Sequence, residues 1–191
     1  MSAQLKDKDE SHSEQQAKAQ LESIVEMVTA LDEEKAKEAA ASEYAKDLSR
    51  ERCVELLLEA SIDSSDDEPI EDLREAVSVN IADGTIEPDD FEFEFDEDEA
   101  RQTIMEDPLS VQVRGDWGDP GSEDLATPAE FEILLCTGGP AVRIVGDLDR
   151  GQPDRPRIQH QDWGTPWTEY FPTEEQREAM QTYCEQFYFG D

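Results

Sequence analysis

Between residues 61 and 100 the chain places seventeen Asp and Glu against one basic residue, Arg74, a net charge of −16 in forty residues. Few folds tolerate that density. Like charges this close repel one another, so the segment either stays disordered or is held by a core strong enough to display it. Phe91, Glu92, Phe93, Glu94 and Phe95 alternate within it, the period of a strand with one buried and one wet face. Disordered acidic tails rarely carry three Phe at alternate positions. The expectation is therefore a strand that buries Phe91, Phe93 and Phe95 and presents Glu92 and Glu94 on a folded scaffold.

The charge is far outside what solubility needs. The 191 residues carry a formal net charge of −34, whereas ~2–8 charges suffice for a small domain. Such a chain is a poor ligand for DNA or for an anionic membrane, and a good one for a basic surface. The expected partner-binding face comprises Asp66, Asp67, Glu68, Glu71, Asp72, Asp89, Asp90, Glu92, Glu94, Asp96, Glu97, Asp98 and Glu99. Carboxylates at fixed spacing imitate the phosphates of duplex DNA, which carries one negative charge per ~1.7 Å of axis. A protein built to grip phosphate with Lys and Arg would accept the substitute. The partner implied is a basic DNA- or RNA-binding host protein or a nuclease complex. The competing reading is a structural or replication accessory protein whose acidity serves solubility only.

The organisation reads as α+β in four segments. Residues 1–14 are polar, without the apolar core of a signal peptide, and are expected to be flexible. Residues 15–60 carry apolar positions at three- and four-residue spacing (Leu21, Ile24, Val28 and Leu31, then Tyr44, Leu48, Val54 and Leu57), with Ser49 a possible interruption. This predicts a helical hairpin, and a dimerising coiled coil through these N-terminal helices is the alternative. Residues 61–107 form the acidic helix/strand segment: a helix starting near Pro69, the Phe/Glu strand, and a second helix over residues 96–106. Residues 108–191 change period to two. Leu109, Val111 and Val113 alternate with polar residues, residues 131–136 and 141–145 flank a Gly138-Gly139-Pro140 turn, residues 157–163 make a further strand, and Thr173 caps a closing helix. The expectation there is an antiparallel β-meander with a packed C-terminal helix, and no run is long and apolar enough to span a membrane.

Four strings in this half, EDPLSVQVR (106–114), LLCTGGPAVRI (134–144), QDWGTPWTEY (161–170) and QFYFG (186–190), together with QLESI (20–24) and EMV (26–28), resemble a family of small acidic proteins of unassigned function. Bacteriophages, prophages and plasmids encode them. The resemblance covers most of the chain. It implies a mobile-element accessory protein acting in the bacterial host cytoplasm, and it brings no catalytic residues.

Catalytic chemistry finds little to stand on, and the chain is expected not to be an enzyme. His12 falls in the polar start. His160 and Asp162, two apart, share a strand face without touching by spacing alone. Cys53, Cys136 and Cys184 are odd in number and far apart, which fits reduced thiols, and the apolar surroundings of Cys136 and Cys184 leave those two unreactive. Asp147, Asp149, Gly151 and Asp154 only superficially resemble a calcium loop and lack the spacing of an EF-hand. Gly138-Gly139 is followed by Pro140 and a strand, with no helix N-terminus to hold a phosphate. Trp117, Trp163 and Trp167 are expected in core or interface packing. No metal and no cofactor is expected.

Overall fold

The computed structural model describes residues 11–65, 67–115 and 127–190. Its elements, in chain order, are α1 (His12–Thr29), α2 (Glu33–Lys46), α3 (Arg50–Glu59), α4 (Ile70–Ala82), α5 (Glu97–Glu106), β1 (Ser110–Gly115), β2 (Pro128–Cys136), β3 (Ala141–Asp149), β4 (Gln152–Gln161), β5 (Thr168–Glu169) and α6 (Glu174–Cys184). The class is α+β, as expected: helices first, then a five-stranded antiparallel meander in the order β1-β2-β3-β4-β5, then a helix. Among the described residues no helix is long and apolar enough to cross a membrane.

Two compact units emerge, one of residues 29–100 and one that joins residues 1–28 to residues 101–191. This divides the chain differently from the four expected segments. The expected hairpin over residues 15–60 is three helices, and α1 is grouped apart from α2 and α3. Side-chain caps punctuate the series: Asp32 accepts from the Lys35 N–H at 3.1 Å and Ser49 from the Arg52 N–H at 3.3 Å, which starts α2 and α3 afresh. The expected flexibility of residues 1–14 is overturned for residues 12–14, which are the first turn of α1.

The acidic unit is built on α2, α3 and α4. Ala41, Cys53, Leu57, Leu73, Val77 and Ile81 close its core, each at 2% exposure or less. At Asp83 and Gly84 the chain reverses, Gly84 at φ +82°, and Ile86 is pinned by an N–H bond to the Asn80 carbonyl. The expected Phe/Glu strand is not one: residues 91–96 pair with no other strand. The alternation survives, with Phe91, Phe93 and Phe95 half-buried and Glu92 and Glu94 exposed. A two-residue period requires only an extended backbone lying on an apolar surface, and Phe91 finds one beside Tyr44, ring centroids 5.4 Å apart. Asp96 then caps α5 through the Glu99 N–H at 3.0 Å.

In the other unit one face of the sheet is packed. Phe131, Ile133, Val142, Ile144 and Ile158 are 3% exposed or less, and α6 contributes Met180, Tyr183 and Cys184. Thr173 and Gln176 close a reciprocal capping box at the start of α6. Residues 146–155, left between the strands expected at 141–145 and 157–163, are instead continued strand: β3 runs to Asp149, and Arg150 (φ 52°) with Gly151 (φ 78°) form a two-residue hairpin turn. This also disposes of the calcium-loop reading, because Asp147 and Asp149 lie on β3 and Arg155 pairs with Asp147 and Asp154. β1 is an edge strand, so Val111 and Val113, which alternate with polar residues, are 37% and 45% exposed.

Candidate functional site

Charge is distributed unevenly between the units. Residues 29–100 hold 26 of the 50 carboxylates and 6 of the 16 Lys and Arg, a net of −20 in 72 residues; the remaining 119 residues carry −14. Four of the six cations have partners in ion pairs or on backbone carbonyls. Lys46 pairs with Glu43 and Arg52 with Glu55, while the Arg74 guanidinium donates to the Leu48 carbonyl at 2.7 and 3.1 Å. Arg50 donates to the Glu68 carbonyl. From Glu75 to Ala100 there is no basic residue at all.

The expected face is accordingly uncovered. Asp67, Glu68, Glu71 and Asp72 at the start of α4, Asp89 and Asp90 ahead of the Phe/Glu stretch, and Glu92, Glu94 and Asp96 to Glu99 are all exposed. Asp66 lies outside the described residues. Two of these groups meet at the first turn of α3. Arg50 there holds Glu68, and Arg52 lies within electrostatic reach of Asp90 and Tyr44. Tyr44 donates to Asp90 at 2.7 Å, and burial followed by that bond pushes its pKa up to about 12. The carboxylates are positioned from below: Ile86 and Pro88 are buried between the exposed Glu87, Asp89 and Asp90, and the half-buried Phe rings alternate with the acids after them. Side chains at i and i+2 of extended chain repeat at ~6.7 Å, from ~3.3–3.4 Å per residue. Measured along the helix axis of duplex DNA, two steps of one strand advance by a comparable distance, at ~3.4 Å per step.

The other candidates resolve into structural roles. Ser13 Oγ lies 2.8 Å from His160 Nδ1 and 2.8 Å from Asp162 Oδ2. Three residues of a hydrolytic triad are thus together, but in an order that does not activate the serine. A carboxylate only accepts, so the hydroxyl donates to Asp162 and receives the His160 Nδ1–H, and no base is left to take its proton. Ser13 is 2% and His160 8% exposed, and the cluster fastens the first turn of α1 to the end of β4. Ser13→Ala strips both partners of their bond and is expected to cost ~1–3 kcal/mol. Urea unfolding followed by tryptophan fluorescence measures it, and an unchanged midpoint would remove this clamp from the account.

All three cysteines are free, and burial pushes each thiol pKa up. No group of three His, Cys, Asp or Glu among the described residues has metal-binding geometry. Trp163, expected in packing, is 84% exposed, although its Nε1–H donates to the Gly138 carbonyl at 2.6 Å and its ring lies over Gly139. Trp167 packs on charge: the Arg143 guanidinium is 4.1 Å from its ring centroid. Trp117 lies outside the described residues.

One feature escaped the sequence reading. The unpacked face of the sheet forms a depression of about 350 Å³ lined by Arg114, Arg143 and Arg157 among Glu130, Glu132 and Asp147. Arg114 Nε donates to Glu130 at 2.6 Å, and Arg143 forks onto Gln159 Oε1 at 2.9 and 3.0 Å while also pairing with Glu132. Its signal was the alternation Glu130, Phe131, Glu132, Ile133, repeated as Arg143, Ile144, Val145 and as Arg157, Ile158, Gln159. Three arginines against three carboxylates leave this face near neutral, so it offers no competing charge-driven site. Comparison of the chain with protein-family models, with curated proteins and with solved structures yields no match.

Proposed function

We propose that this chain is a binding protein of a mobile genetic element that occupies the phosphate-gripping surface of a basic DNA- or RNA-binding host protein, in the manner of a DNA mimic. In a bacterial cytoplasm the targets of that chemistry are nucleases of restriction or CRISPR defence, and the activity is inhibition by occupancy, without catalysis or a cofactor. One observation carries the reading: residues 29–100 concentrate −20 at more than twice the charge per residue of the rest, with every described carboxylate there exposed and no cation between Glu75 and Ala100. A coat evolved for solubility alone has no reason to segregate charge, and mixing both signs serves that purpose better.

The test is competition. A host protein retained on the immobilised chain is purified, loaded with a labelled DNA duplex, and titrated with the free chain. Displacement of the duplex is expected, with an affinity that falls steeply as salt rises, because both surfaces are charged and solvent-facing. If the duplex stays bound when the chain is saturating, mimicry is wrong, and the acids return to the solubility reading.

A further inference from the structure

We infer that β1 is a self-pairing edge through which two copies of this chain form one continuous sheet. The inference is independent of the function proposed above, since β1 belongs to the sheet unit. Sheet edges in soluble proteins are normally guarded by charge, Pro, bulges or brevity, because a row of unpaired N–H and C=O groups recruits any passing strand. The far edge of this sheet obeys the rule: β5 is two residues long. The near edge does not. Among the described residues, β1 is six residues with β2 on one side only, and its register irregularity is confined to its last step, Arg114 to Gly115. Its one charged side chain, Arg114, is engaged by Glu130 of β2. Val111 and Val113 stand 37% and 45% exposed, with Leu109 just ahead at 60%.

What fits there is a second β1. Antiparallel pairing about a two-fold axis through Gln112 sets Val111 opposite the partner's Val113, and Ser110 opposite the partner's Arg114. No like charges meet, and no carboxylate occurs from Pro108 to Gly115. Opposed residues of an antiparallel pair share a face. Val111 pairs with Ile133 and Val113 with Phe131, so the four valines would prolong the packed face of both sheets across the junction. A foreign strand could use the same backbone groups, but this side-chain pattern is complementary to itself. The apolar stripe of α1, the other surface considered for dimerisation, is already spent: Ala17, Leu21 and Ile24 are at 0% exposure.

The net charge of −34 on each copy opposes this association, so it must strengthen as salt rises, opposite in sign to the salt response expected for a basic partner. Sedimentation velocity of the whole protein up to ~500 µM, at ~0.02 M and ~0.5 M NaCl (Debye lengths on the order of 20 and 4 Å), reads it directly. A monomer at low salt and a concentration-dependent dimer at high salt are expected. Val113→Lys and Val111→Glu should each raise the dimer dissociation constant at least ~10-fold, and an equimolar mixture of the two should recover the dimer because the introduced charges then face each other. Val79→Lys, at a still more exposed valine on α4, should leave it unchanged. Circular dichroism checks that the variants fold. A monomer under all conditions, a dimer insensitive to Val113→Lys, a mixture that fails to recover, or equal loss from Val79→Lys would each overturn the inference.

Discussion

Replacing Glu92, Glu94, Asp96, Glu97 and Asp98 with Gln or Asn is expected to weaken binding to a basic nucleic-acid-binding partner by on the order of 10²-fold. Five solvent-facing charge pairs at ~0.5 kcal/mol each amount to ~2.5 kcal/mol, and ~1.4 kcal/mol is a factor of ten. Much of the loss should fall on the association rate, since steering depends on the summed field. The fold should hold. Asn at position 96 keeps an oxygen to cap the Glu99 N–H, and fewer like charges relieve self-repulsion, so the melting temperature should stay level or rise. The matched control must lie outside the acidic unit. Glu33, Glu34 and Glu38 are unsuitable, being on α2 within it; Glu22 and Glu26 on α1, Glu169 on β5, and Glu175 and Glu178 on α6 are exposed and belong to the other unit. Neutralising these five should cost a few-fold at most, and the contrast between the sets should shrink at ~0.5 M salt as screening shortens to about 4 Å. Surface plasmon resonance of both variants decides it: equal losses would mean that total charge alone matters and that no acidic face exists.

Local signals were readable and long-range ones were not. The Thr173 cap, the start of α4 at Pro69, the hairpin around Gly138 and Gly139, and the exposed acids between Glu87 and Glu99 follow from rules that act over a few residues. The Phe/Glu strand failed because period two is necessary for a strand but does not supply a partner. Pro153 and Pro156 disguised the first half of β4, before the expected strand at 157, although both are buried within it, where tertiary packing outweighs propensity. Ser13 lies 147 residues from His160, a separation at which neither spacing nor composition announces a contact. The same holds for grouping α1 with residues 101–191. The arginine-lined face was present in the text as alternation along three strands; weighing each apolar run by itself concealed that their polar residues share one surface.

The sheet's packing makes the other large prediction. Gly146 sits on β3 directly opposite Phe131 of β2, where the β3–β4 register also slips. A Cβ there would stand 2.5 Å from Phe131 Cε1, 2.7 Å from its Cζ and 3.0 Å from the Asp154 carbonyl oxygen. The ring has nowhere to go: it is 3% exposed and packed against Phe189, itself 2% exposed, with centroids 4.8 Å apart. Gly146→Ala is therefore expected to destabilise by ~1–3 kcal/mol through overpacking, after an opposing gain of ~0.4–1 kcal/mol from a stiffer unfolded chain. All three tryptophans lie within residues 101–191, so tryptophan fluorescence during urea unfolding follows this unit. A lower midpoint at constant slope is the expected result. Phe131→Leu removes the atoms that collide, so the double variant should lose less than the sum of the two single losses by ~1 kcal/mol or more. Strict additivity would mean that the alanine is accommodated elsewhere, and Phe131 would no longer explain why glycine occupies position 146.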